Sequence, residues 1–114
     1  MSLSRRDFAA AFSSHDFEPT FSQISGSVIW RMPGSPSIEG RRAVIGACRS
    51  TVESLADTEV KRDRFLIVDG GENVVVDTLT TYRDGTEVST VASCDIYEFD
   101  GDILTTLTSY NLEA

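Results

Sequence analysis

The chemistry in this chain starts from one misplaced carboxylate. Asp95 lies within Val91, Ala92, Ser93, Cys94, Asp95, Ile96, Tyr97, Glu98 and Phe99, a segment that otherwise reads as a buried strand. A carboxylate that leaves water on folding needs a hydrogen-bonding partner, a raised pKa or a wet pocket. Asp77, in the preceding strand-like segment, is the natural second group. A two-residue loop at 84–85 would put Asp77 and Asp95 on opposite faces of the sheet, whereas one extra residue or a bulge would put them on the same face. The expectation taken here is a shared face, where mutual repulsion leaves one carboxyl protonated and the other ionised, an acid and a base.

The other reactive residue types are sparse. His15 is the only histidine, which excludes a His-rich metal site. Placed at a helix end, it reads mainly as structural, with a minor acid–base role left open. Cys48 and Cys94 lack metal or redox spacing and read as small buried hydrophobes. Arg31 reads as a solvated charge. There is no phosphate loop and no nucleophile elbow, and neither a metal nor a cofactor is expected.

Elements that position these residues follow from periodicity. Ser4 is a plausible N-cap for a helix over 5–14, with Phe8, Ala11 and Phe12 on one face. Asp16 is expected to cap a short second helix, with Pro19 in its first turn, Phe21 and Ile24 as anchors, and Gly26 closing it. A strand is predicted over 27–32, with Val28, Trp30 and Met32 opposing Ile29 and Arg31. After the loop at 33–37, a third helix over 41–56 carries Val44, Cys48, Val52 and Leu55 as its apolar stripe. Charge-rich residues 57–64 read as a solvated connection. Strands follow over 60–68, 74–83, 87–99 and 103–112, with turns at Asp69-Gly70-Gly71, Asp84-Gly85 and Asp100-Gly101. The order predicts one α+β domain over 1–114, with three helices packed on one face of a curved antiparallel sheet.

Composition narrows the partners. The 114 residues carry a formal net charge of −8, which disfavours nucleic acid and anionic membranes. The longest apolar runs, such as Phe65-Leu66-Ile67-Val68, are far too short to span a bilayer. The N-terminus shows no signal-peptide-like apolar stretch, so a cytoplasmic protein is expected. Both faces of the predicted sheet are apolar: Val75 and Leu79 oppose Val74, Val76 and Tyr82. Helices can cover only one face, so a homodimer through the outer face is expected.

The order of motifs resembles the nuclear transport factor 2-like superfamily, in the SnoaL-like branch related to ketosteroid isomerases, polyketide cyclases and limonene epoxide hydrolase. The residues that carry the resemblance are His15-Asp16, Trp30-Arg31-Met32-Pro33-Gly34, Glu39-Gly40-Arg41 and the run Asp95-Ile96-Tyr97-Glu98-Phe99-Asp100-Gly101. It spans essentially the whole chain and implies a cone-shaped, cystatin-like fold with a pocket between helices and sheet, commonly dimeric. Of the ketosteroid isomerase pattern only Asp95 survives, since Phe8 stands for the tyrosine donor and Met32 for the general-base aspartate. By analogy Asp95 is held neutral, as the aspartic acid donor is in that enzyme. Of the epoxide hydrolase pattern Asp77 matches one aspartate, while Val75 replaces the arginine and Thr108 the second aspartate.

Alternation and resemblance together place Phe8, Phe12, Trp30, Met32, Leu79, Tyr97, Thr106, Thr108 and Tyr110 around the ligand, with Asp95 and Asp77 as candidate catalytic groups. Three readings follow: an isomerase-, cyclase- or hydrolase-type enzyme acting on a hydrophobic small molecule, a non-catalytic binder using the same pocket, or a protein-interaction module working through the sheet.

Overall fold

The computed structural model describes residues 2–114. Helix α1 (Arg5–Ser13) leads into a 3-10 helix (Glu18–Gln23), strand β1 (Ile24–Arg31), the two-residue strand β2 (Ile38–Glu39) and helix α2 (Arg41–Ser54). Four long strands complete the chain: β3 (Glu59–Asp69), β4 (Asn73–Asp84), β5 (Glu87–Asp100) and β6 (Ile103–Glu113). The six strands form one curved, open sheet in the order β2-β1-β6-β5-β4-β3. All neighbours are antiparallel except β1 and β6, which run parallel. This is the expected α+β architecture, with the helices on the inner face.

Local chemistry explains the elements. The Ser4 hydroxyl accepts from the Asp7 amide at 3.1 Å and caps α1, whose buried face is Phe8, Ala9 and Phe12. Phe8 is fully buried, packing edge-on against Tyr97 and Phe99 and stacked beside Phe12. Around it the core gathers Val28, Val44, Val74, Val76, Leu104 and Leu107.

Several sequence expectations need correction. The second helix is a 3-10 turn preceded by Phe17, with no side-chain cap from Asp16, and β1 begins at Ile24 rather than after Gly26. Strand β2 has no counterpart in the sequence pattern, since two residues carry no periodicity. Helix α2 ends at Ser54, and only Val44 and Cys48 of its stripe are buried. Val52 is 52% exposed because the helix rolls that position away from the sheet. Residues Glu59 to Arg64 already belong to β3 rather than to a connection. Cys94 is only half-buried and sits on the outer face opposite Asp77.

Two β-bulges decide which side chains face inward. On β6, Leu104 lies opposite Phe99 and Thr106 opposite Glu98, so Thr105 is an extra residue. Its hydroxyl donates to the Glu98 carbonyl at 3.0 Å. Beyond it the alternation of β6 is reversed relative to a regular hairpin. On β3, Asp63 is extra between Arg62, opposite Thr80, and Arg64, opposite Leu79. Arg62 therefore points to the inner face and Arg64 to the outer one.

Phe8→Ala should cost about 3–5 kcal/mol of stability, whereas Val52→Ala should stay within about 0.5 kcal/mol. Urea unfolding of both variants checks this, and comparable losses would contradict the burial assigned to α1 and α2.

Candidate functional site

A cleft of about 320 Å³ opens between the helices and the inner face of the sheet. It lies at the small end of ligand clefts, which span about 300–1,000 Å³. Phe12, Ser13, His15 and Phe17 come from α1 and the turn after it, Trp30 from β1 and Thr51 from α2. The sheet supplies Tyr82, Val91, Asp95, Leu107, Ser109 and Asn111. Aromatic rings form much of the wall: Phe12 meets Phe17 and Trp30 edge-on with centroids 4.8 and 5.4 Å apart.

Asp95 is the acid of this cleft. Ser13, the last residue of α1, donates its hydroxyl to Asp95 Oδ2 at 2.8 Å and lies 2.6 Å from the Tyr97 hydroxyl. Since Ser13 has one hydroxyl hydrogen, given to Asp95, the Tyr97 hydroxyl donates to Ser13. A second chain arrives from β1. The Trp30 indole N–H donates to Ser109 Oγ at 3.0 Å, which leaves the Ser109 hydroxyl hydrogen for Asp95, its cross-strand neighbour. Withdrawal from water raises the pKa of Asp95 above 3.8, while the Ser109 and Ser13 hydrogen bonds pull it back partway. Tyr97 is fully buried, and loss of hydration, reinforced by nearby Asp95, pushes its phenol well above the usual value.

His15 occupies an uncommon backbone position. Its φ of 65° lies in the left-handed region, where it ends α1 in a Schellman turn: its N–H bonds the Phe12 carbonyl at 3.1 Å and the Asp16 N–H bonds the Ala11 carbonyl at 2.9 Å. Glycine is usual there. The imidazole packs beside Phe17 and Tyr82, and its Nδ1 lies 3.3 Å from Arg62 Nη2. Burial, helped by the Arg62 charge, lowers its pKa to about 4.

Of the sequence-derived site, Phe12, Trp30 and Asp95 line the cleft. Tyr97 reaches it only through Ser13, and Phe8 is buried beneath it. Met32 sits in the turn after β1, where its carbonyl accepts from Ser35, away from the cleft. Asp77 and Asp95 do not share a face. Gly85 and Thr86 form a two-residue loop, so Asp95 pairs with Val76 and Asp77 with Cys94. Asp77 instead forms a half-exposed ion pair with Arg64 at 2.9 Å on the outer face. Leu79 is outside as well, for the same register. Thr106, Thr108 and Tyr110 also face outward, because the Thr105 bulge brings Leu107, Ser109 and Asn111 inward in their place. The signal for Ser13 was available in the sequence, since it follows Phe8, Ala9 and Phe12 on the buried stripe. The bulge left no such signal.

The cone of helices on a curved sheet, with an acidic group in an aromatic cleft, defines a protein of the nuclear transport factor 2-like class. The SnoaL-like domain family matches residues 5–106, and the chain belongs to that family. Among solved structures, it is similar to a nuclear transport factor 2-like protein of unknown function from Cytophaga hutchinsonii, at 25% identity and a TM-score of 0.78, covering 93% of this chain and 94% of that one. An LEH-like epoxide hydrolase of M. tuberculosis shares the fold at 19% identity and a TM-score of 0.69, with 95% and 82% covered. So does a protein from Jannaschia sp. CCS1 provisionally assigned as a SnoaL-like polyketide cyclase, at 11% identity and a TM-score of 0.70, with 94% and 84% covered. No protein of curated function matches the chain.

The raised pKa of Asp95 gives a signed expectation. The folded protein keeps this proton at pH values where the unfolded chain has released it, so this group's contribution to stability falls as pH rises from about 3.8 through its folded value. Asp95→Asn should remove that fall and become more stable relative to the parent as pH increases. Urea unfolding of both proteins between pH 4 and 8 checks this, and a variant that loses ground with rising pH would contradict it.

Proposed function

We propose that the cleft binds an uncharged, largely apolar small molecule bearing an oxygen function, and that Asp95 exchanges a proton with it. The observation that carries this reading is a carboxyl with a raised pKa, held by Ser13 and Ser109 at an aromatic-walled cleft. A general acid or base works best with a pKa near the operating pH, and burial raises the pKa of Asp95 in that direction. A neutral ligand suits the site because an anion would oppose ionised Asp95. The known names within the fold, a polyketide cyclase assignment and an epoxide hydrolase, agree with chemistry of this general kind without defining it.

A non-catalytic binding role in the same cleft has its own support. Asp77, the expected second carboxylate, lies outside, so among the described residues Asp95 has no second carboxylate in the cleft to complete an acid–base pair. Acetophenone in D₂O separates the two readings, with quenching of Trp30, the single tryptophan, reporting binding. Catalysis is expected to exchange the methyl protons of the ketone faster than buffer does, and Asp95→Asn should slow that exchange by about 10²–10⁴-fold while leaving the quenching. Binding without exchange would support the non-catalytic role.

We also propose that a second copy of the chain covers the outer face of the sheet. Leu66 and Val68 of β3 and Tyr110 and Leu112 of β6 project there about half-exposed or more, around Val75, Leu79 and Ile96. An apolar face of this extent is uncommon on a monomer, and a two-fold axis would let it bury itself. Sedimentation should give the mass of two chains, reduced to one by Leu112→Arg combined with Tyr110→Asp. A monomeric parent protein would refute the dimer.

A further inference from the structure

Arg62 of β3 is a half-buried cation beside the cleft. Arg62 is turned inward by the Asp63 bulge, and its Nη1 is buried without a hydrogen-bond partner among the described residues. Its Nη2 has the His15 imidazole, at Nδ1, as its partner. A guanidinium has only donors to offer, so Nδ1 must present a lone pair. A ring that accepts at Nδ1 is neutral and carries its proton on Nε2. A device of this kind is costly to build: it uses a left-handed backbone for a residue with a side chain, and it shields one guanidinium nitrogen of a half-buried charge without giving it a partner among the described residues. The ring it fixes lines the same cleft as Asp95.

We propose that His15, held by Arg62 as the neutral Nε2–H tautomer, is a fixed hydrogen-bond donor to an oxygen of the ligand, with Arg62 as its positioning residue. The ligand class narrows accordingly. It is an uncharged molecule with a carbonyl or hydroxyl oxygen for His15, in addition to the part that meets Asp95. This rests on the small-molecule reading of the cleft.

Other groups around the ring do not supply a competing acceptor in the hydrogen bonds of the described residues. Tyr82 stacks on it from β4, Arg62 approaches from β3, and Asp95 faces the same cleft from β5. Asp16, Glu18 and the α2 residue Arg49 border the adjoining crevice, where Glu18 pairs with Arg49 at 3.6 Å. A lowered pKa of about 4, from burial and then the Arg62 charge, agrees with a ring that stays neutral.

Because His15 is the only histidine, its nitrogen signals are unambiguous. ¹⁵N NMR of the histidine-labelled protein should show the Nε2–H tautomer from pH 8 down to about 5, and Arg62→Met should raise the titration midpoint and mix the tautomers. Protonation near pH 6.5 in the parent protein, or the Nδ1–H tautomer, would overturn the proposal. Acetophenone should shift the Nε2–H signal, and His15→Asn, whose side chain tolerates the left-handed backbone, should weaken its binding about three- to tenfold, as loss of one neutral hydrogen bond implies. Trp30 quenching with an unmoved Nε2–H would overturn the donor role and leave the cleft reading standing. No quenching at all would overturn the cleft reading and the donor role with it.

Discussion

The hydrogen-bonded chain from Tyr97 through Ser13 to Asp95 ties the end of α1 to the middle of β5. Its members are half-buried or fully buried, and each needs the others. Without Ser13, the Tyr97 hydroxyl would be an unpaired donor inside the aromatic core and Asp95 would lose one of its stabilising contacts. The chain also fixes where α1 stops. Phe8, Ala9 and Phe12 seat the helix on the sheet, and Ser13 is the next residue on that face. The Schellman turn at His15 then carries the chain away with its imidazole at the cleft.

Sheet irregularities assign the roles of the remaining side chains. A regular β5–β6 hairpin would place Thr106, Thr108 and Tyr110 in the cleft; the Thr105 bulge brings in Leu107, Ser109 and Asn111 instead. Only with that shift can Ser109 lie across from Asp95 and accept from the Trp30 indole. The Asp63 bulge acts likewise on β3, separating Arg62, which meets His15, from Arg64, which pairs with Asp77 outside. Extra residues of this kind re-aim side chains without changing the strand count.

Much of the fold is legible in the sequence for physical reasons. The helical spacing of Phe8 and Phe12, the alternation along β4 and β5, and the glycine-containing turns Gly85 and Gly101, both at positive φ, specify α1 and three of the long strands. Asp95 was legible too, because a carboxylate within an apolar strand is conspicuous. Register was not. One residue of loop placement or one bulge reverses a face, and neither Thr105 nor Asp63 differs in type from ordinary strand or turn residues. That is why the sequence alone points Asp77, Leu79, Thr106, Thr108 and Tyr110 into the cleft and gives no sign of Ser109. His15 reads mainly as structural from its place at a helix end before Asp16, because the sequence does not show which way the turn after α1 aims the ring.

The cleft therefore depends on a carboxyl that burial disfavours ionising, supported by hydroxyls that soften but do not cancel the effect. The direct measurement is the ¹³C NMR titration of the Asp95 side-chain carboxyl, its signal identified by its absence in Asp95→Asn. A midpoint clearly above 3.8 is expected. A midpoint at or below that value would mean that the site favours the ionised form, and would contradict the proton-exchanging role given to Asp95.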